Sequence, residues 1–144
     1  MKYTASIVIE KPIDEIAKLF LDPENLHKWM EGLVSVDLYE GTAGKRGAKS
    51  KLHFIHGNRK MDMLETILEI DMPNRMVVTY ESKGMSNIIF SSLEKIDKNR
   101  TNYNTKQEFK MYGFMKVVAF LAPAMFKKQT NKILTNFKNF AEQQ

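Results

Sequence analysis

Cysteine is absent from this 144-residue chain, which removes disulfides, thiolate nucleophiles and cysteine-based metal centres together. Arginine is nearly absent too. Lysine supplies 18 of the 22 basic side chains, and they are scattered rather than clustered. Nucleic-acid readers favour the bidentate fork of arginine on a concentrated patch, so the net charge of +5 reads as a solvated lysine surface with no nucleic-acid partner. No apolar run reaches the roughly 18 residues that a membrane span needs. Met1-Lys2 leads straight into a strand-like run without a secretory leader, and with no cysteine the expected location is cytoplasmic.

Histidine is scarce as well: His27, His53 and His56 are the only three. His53 and His56 are three apart on a strand and therefore point to opposite faces, which is not a metal-ligand arrangement. Nothing resembles a nucleophile elbow or a triad neighbourhood. We expect no metal, no cofactor and no dedicated catalytic residue. Repeats, low-complexity tracts and linkers are also missing, so residues 1–144 read as one domain, large enough to bury a real core.

What is present is periodicity. "KYTASIVIE" (2–10) is strand-like. Pro12 and then Asp22-Pro23 open two short helices, the first with Ile13, Ile16, Ala17 and Phe20 as its apolar stripe. From Leu33 the period is two. Gly57-Asn58, Pro73-Asn74 and Lys83-Gly84 are the turns, and simple closure pairs Phe54 with Met61, Leu52 with Met63, Glu69 with Val78, Ile67 with Tyr80, and Tyr80 with Asn87. One inner face follows: Leu52, Phe54, Met61, Met63, Ile67, Val78, Tyr80, Ile89, Leu93, Tyr103, Thr105, Gln107, Phe109 and Met111. Leu64, Leu68, Ile70, Val77, Ile88 and Phe90 fall on the other face, which requires a covering partner or a different register in the middle strands. From residue 114 the period becomes helical, with Phe126, Thr130, Ile133, Leu134, Phe137, Phe140 and Ala141 on one stripe and Pro123 as a break or a beginning.

This order of elements, carried by "IEKPIDEIAKLFLDPENLHKW", "ETILEIDMPNRMVVTYES", "SSLEKIDKNRTNYNTKQEF" and "FKKQTNKILTNFKNFAE", resembles the START-like or Bet v 1-like (SRPBCC) superfamily over essentially the whole chain. The nearest resemblance is to its polyketide cyclase/dehydrase-like ligand-binding branch. That resemblance implies an α+β helix-grip fold: a curved antiparallel sheet of about seven strands around a long C-terminal helix, with two short helices after strand 1. It also implies a deep apolar cavity between sheet and helix, with the short helices closing one end and Trp29 placed there as plug or as core.

The expected function is binding of a hydrophobic small molecule or lipid in that cavity. Trp29, Leu52, Phe54, Met63, Tyr80, Ile89, Phe109, Met111, Phe120 and Met125 are the expected lining, and Glu65, Asn87 and Gln107 the polar anchors. Buried polar groups are costly unless paired, so Glu65, Asn87, Thr105, Gln107 and the Tyr80 and Tyr103 hydroxyls must meet one another, water or a ligand; Glu65 alone is otherwise explained by a strand end reaching solvent. Met61, Met63, Met111, Met115 and Met125 add adaptable apolar surface on the same side. Two other functions remain open. One is a cyclase or dehydratase working by acid-base chemistry in the same cavity. The other is a protein-interaction module like the Hsp90-activator branch, using the apolar outer face and compatible with a homodimer. "GFMKVVAFLAPAMFKK" (113–128) reads as a buried helix start, as a lid, or as an apolar patch beside Lys127 and Lys128 that touches membrane transiently.

Overall fold

A computed structural model describes residues 1–144. Strand β1 (Lys2–Ile9) is followed by α1 (Ile13–Leu21), a 3-10 turn (Pro23–Asn25) and the one-turn helix α2 (Leu26–Trp29). Six strands follow: β2 (Leu33–Glu40), β3 (Lys49–His56), β4 (Arg59–Asp71), β5 (Arg75–Ser82), β6 (Met85–Asp97) and β7 (Arg100–Met111). Helices α3 (Phe114–Leu121) and α4 (Pro123–Glu142) close the chain. The strands form one curved antiparallel sheet in the order β1-β7-β6-β5-β4-β3-β2.

Local chemistry sets these boundaries. Asp14 and Glu15 occupy the first turn of α1 and Lys18 the last, which suits the helix dipole. Asp22 Oδ1 accepts the Glu24 backbone N–H at 3.0 Å and opens the 3-10 turn at Pro23. Pro123 stands in the first turn of α4, where its missing N–H costs nothing. The break expected at that proline therefore separates two helices.

The inner face carries Leu52 opposite Met63, Phe54 opposite Met61, and Tyr80 opposite Asn87, as the turns imply. The β4–β5 hairpin differs. Its loop is three residues long, joining Asp71 to Arg75, and a β-bulge at Leu68 intervenes between Ile67 and Glu69. Ile67 pairs with Val78 rather than Tyr80, Glu69 with Val77 rather than Val78, and Tyr80 faces Glu65. The extra loop residue and the bulge together move the register by two, so the face upstream is preserved, while beyond the bulge Ile70 turns inward opposite Met76. This relieves the excess of apolar residues on the outer face. Of Leu64, Leu68, Val77, Ile88 and Phe90 only Leu68 is exposed, and the Phe90 ring lies under the Arg75 and Lys106 head groups at 5.3 and 5.7 Å.

The core condenses in two places. One cluster holds Ile9, Ile16, Trp29, Leu93, Tyr103, Leu134, Phe137, Phe140 and Ala141 where α1, α2 and the C-terminal half of α4 meet β1, β6 and β7. The other holds Leu33, Ala48, Leu52, Phe54, Ile67, Val78 and Tyr80 on β2–β5. Leu26 and Met30 pack against both. Helix α4 packs mainly on β1 and α2 and has no comparable packing on β3, β4 or β5.

The C-terminal end of α4 is tied down by polar contacts. Glu142 Oε2 accepts the Glu10 backbone N–H at 2.8 Å and Lys138 Nζ at 2.8 Å, Lys138 also donates to Val8 O, and Lys11 Nζ donates to Gln144 O at 2.7 Å. Helix α3 is the opposite case: none of its residues is buried, and Phe114, Phe120 and Leu121 are 77%, 84% and 73% exposed. The expectation of a buried helix start therefore does not hold for α3; within 113–128 only Phe126, in the first turn of α4, is buried. Residue Met115 anchors α3 against the β5–β6 turn, where a Cβ on Gly84 (φ +81°) would come within 2.8 Å of Met115 Cγ.

The Glu10 N–H, and after it Lys138, holds the Glu142 carboxyl below its ordinary value of 4.5. A depressed carboxylate stabilises the fold above its unfolded-state pKa and loses that contribution as pH falls through the folded-state value. Glu142→Gln should thus lower the melting temperature at pH 7, with the gap to the parent closing below pH 4.5 in a thermal-melt series.

Candidate functional site

Between the two clusters the inner face of the sheet turns polar. Glu65 on β4, Tyr80 on β5, Asn87 and Ser91 on β6, and Thr105 and Gln107 on β7 share that face, a placement fixed by the ladder Glu65–Tyr80–Asn87 and by Ser91 opposite Thr105. Tyr80 OH donates to Glu65 Oε2 at 2.8 Å. Asn87 Nδ2 donates to Gln107 Oε1 at 3.1 Å. Asn87 Oδ1 and Thr105 Oγ1 are buried without a protein partner. Leaving such atoms unpaired costs about 1–3 kcal/mol each, which marks this face as the costliest polar stretch of the inner sheet.

The electrostatics follow from enclosure. Burial raises the Glu65 carboxyl above 4.5, and the Tyr80 hydroxyl bond offsets part of the rise. Burial, with the neighbouring Glu65 charge, pushes the Tyr80 phenol well above 10. Tyr103 is pushed up to about 12, again by burial. Glu65 is half-buried and lies in the middle of a thirteen-residue strand, not near its end.

The expected site residues fall into groups. Leu52, Phe54 and Tyr80 are buried in the second cluster, with Met63 and Ile89 half-buried against it. Asn87 and Gln107 are buried beside Glu65 and Tyr80 on the shared inner face. Phe109 is half-buried, its ring 5.4 Å from that of Phe126 on α4, and Met111 is half-buried opposite Met85. Trp29 belongs instead to the aromatic cluster, stacked on Phe20 at 5.8 Å and edge-on to Phe137 at 5.2 Å, with its Nε1 buried and unpartnered. Phe120 and Met125, at 84% and 50% exposed, are not walls of an enclosed space: the Pro123 break swings both outward with the α3–α4 corner.

Sequence reasoning missed Leu26 and Met30, which bridge the clusters; their spacing of four in a helical stretch was the available signal. It also missed Val36 and Leu38, inward by their pairing with Leu52 and Ser50 yet each 44% exposed at the open β2 edge.

Other polar clusters lie on the outside. His53 bridges Asp37 and Asp62 at 2.7 Å each on the outer face, and the Asp37 contact, then Asp62, raises its pKa above 6.5. A wide depression on the same face, around Arg75, Phe90 and Lys106, is mainly polar. No group of three or more His, Asp or Glu side chains is arranged to hold a metal.

A curved seven-stranded antiparallel sheet gripping a long C-terminal helix, with two short helices at one end, defines a Bet v 1-like helix-grip protein. Within that class the chain belongs to the family described as polyketide cyclase / dehydrase and lipid transport, whose model matches residues 1–142. Among solved structures it is similar to Ara h 8.0201 (14% identity, TM-score 0.77, covering 100% of this chain and 99% of that one). It is also similar to the Zhui aromatase/cyclase of a Streptomyces species (11% identity, TM-score 0.80, covering 99% and 93%). A third is norcoclaurine synthase from Thalictrum flavum in complex with dopamine and hydroxybenzaldehyde (12% identity, TM-score 0.73, covering 97% and 85%). At these identities the likeness is one of fold. No curated protein sequence matches the chain.

Removing the Tyr80 hydroxyl removes the one contact that lowers the Glu65 pKa. In Tyr80→Phe the Glu65 carboxyl, followed by carbon-detected NMR titration, should move further above 4.5 than in the parent protein.

Proposed function

We propose that this protein binds a hydrophobic small molecule or lipid, in the cytoplasm, between the inner face of the sheet and α4. The observation that carries the reading is the division of the core. Apolar side chains gather in two clusters, and the stretch of sheet between them holds paired and unpaired polar groups on a buried face. Apolar walls with a few convergent polar atoms are the usual make-up of a small-molecule site. Leu52, Phe54, Met63, Ile89, Phe109 and Met111 supply the walls, while Glu65, Asn87 and Gln107 supply the anchors. Trp29 closes the far end.

The protein purified from its native host should carry an apolar compound in near-equimolar amount, detected by native mass spectrometry and identified after solvent extraction. Phe109→Arg should lose it. A protein that is bare and a tight oligomer in the same spectrum would contradict carriage and move the function to its surface.

A second reading has one observation in its favour: a half-buried carboxyl of raised pKa bonded to a phenol, Glu65 with Tyr80, is equipped to move a proton. On that reading Glu65→Gln keeps ligand binding and abolishes turnover. On the carrier reading the same variant changes affinity only.

Membrane contact through α3 belongs to the same proposal. Residues 109–141 contain six lysines and no acidic residue, and Phe114, Val117, Phe120, Leu121 and Met125 are exposed among them. Apolar side chains rimmed by lysine suit an anionic bilayer surface, and an apolar ligand would then enter without crossing water. Co-sedimentation with phosphatidylglycerol-containing vesicles should weaken with salt and fall roughly tenfold or more in Phe120→Glu, the loss expected for one inserted aromatic ring. Equal binding by Phe120→Glu would remove α3 from the account.

A further inference from the structure

The basic residues are distributed in a way that bears on which ligand the inner face would accept. Of the 22 lysines and arginines all but Lys11, Lys49 and Lys138 are exposed, and those three are already committed: Lys11 to Gln144 O, Lys49 to Glu40, and Lys138 to Glu142 and Val8 O. The inward parity of the strands carries basic groups only at strand ends, where His56, Arg59 and Lys95 are exposed. His53 lies on the outer face, paired with Asp37 and Asp62. No cation therefore reaches the stretch between the clusters.

What does reach it is one carboxyl and a set of oxygens. Glu65 has the Tyr80 hydroxyl as its only hydrogen-bond partner, and no basic side chain neutralises it. Asn87 spends its amide N–H on Gln107, which leaves Oδ1 unpartnered, and Thr105 Oγ1 is unpartnered two positions along β7 from Gln107. A carboxylate or phosphate brought here would be desolvated next to Glu65 with no positive charge to compensate it, the arrangement that buried charge tolerates least. A hydroxyl, amide or amine would instead donate to oxygens that are waiting for a proton.

We infer that the ligand is an apolar molecule whose inward polar group is a neutral or cationic hydrogen-bond donor, and that the site discriminates against acids of the same size, Glu65 being the residue that sets this preference. The inference rests on the proposed ligand-binding role of the inner face and adds the charge class of its occupant. It excludes a free fatty acid held head-inward, or any lipid whose phosphate must pass α4, while leaving a sterol-like alcohol, a phenol or a long-chain amine acceptable.

The test is a matched series of a primary alcohol, a primary amine and a carboxylic acid with the same alkyl chain, each below its micelle concentration. Each competes against a neutral fluorescent naphthylamine probe at pH 7. The alcohol and the amine should displace the probe at least about tenfold more effectively than the acid, a difference of about 1.4 kcal/mol. In Glu65→Gln the amine should weaken relative to the alcohol, and the acid should gain. Should the variant not fold, the ranking in the parent protein decides the question alone. Equal or better displacement by the acid, with the probe bound, overturns the inference and leaves the binding role standing. Failure of the probe and all three compounds to bind contradicts the binding role itself, and the inference falls with it.

Discussion

The Phe137 ring is where the architecture is held together. It is fully buried, edge-on to Phe20 at 5.3 Å, to Trp29 at 5.2 Å and to Tyr103 at 5.5 Å, so a single side chain of α4 joins α1, α2 and β7. Edge-to-face pairs add about 0.5–1.5 kcal/mol each beyond the area they bury. Together with the Glu142 and Lys138 contacts to β1 they fix one end of α4 rigidly against one end of the sheet. The other end of the helix has Phe126 against Phe109 and the Tyr3 hydroxyl on Pro123 O at 2.9 Å, a lighter attachment. A helix anchored at one end over a curved sheet cannot also lie flat on the far strands. The division of the core follows from that geometry, and so does the polar stretch between its halves.

Composition has the same logic. A filled core would need apolar side chains at Glu65, Asn87, Thr105 and Gln107, where this chain spends four polar ones in adjacent positions of a buried face. Asn87 and Gln107 partner each other and Glu65 accepts from Tyr80, while Asn87 Oδ1 and Thr105 Oγ1 stay without a protein partner. On the proposed binding role, function and stability oppose each other here, because polar groups that weaken a core are tolerated where a ligand completes them. Helix α3 shows a similar exchange at the surface, with Phe114, Phe120 and Leu121 left exposed beside Lys116.

Most of the fold was legible in the sequence because period and turns agreed with each other. Alternation over 102–111 placed Tyr103, Thr105, Gln107, Phe109 and Met111 on the inner face, and the Gly57-Asn58 turn set the β3–β4 register to the residue. The β4–β5 register was not legible. The run Ile67-Leu68-Glu69-Ile70 offers apolar side chains to both faces, so alternation alone cannot locate the bulge, and the loop after Asp71 is one residue longer than a Pro-Asn turn suggests. The surplus of apolar residues on the outer face was the visible symptom. The helical end was the harder part: hydrophobicity marked 113–128 as a unit, yet burial depends on what lies opposite, and α3 is held only along its Met115 side. Phe120 and Met125 were assigned inward on apolar character and point outward. The polar members of the site were readable because a polar residue on a buried parity is conspicuous, whereas Leu26 and Met30 passed as ordinary helix residues.

The central claim is that the stretch of sheet between the two core clusters faces space that side chains do not fill. Crystals grown from protein stripped of bound compounds and pressurised with xenon test this directly, since xenon orders in apolar cavities and not in packed cores. The account predicts xenon between α4 and strands β4–β6, in contact with Met63, Ile89 or Phe109. An absence of xenon there, with those side chains packed against α4 in well-defined density, would contradict it.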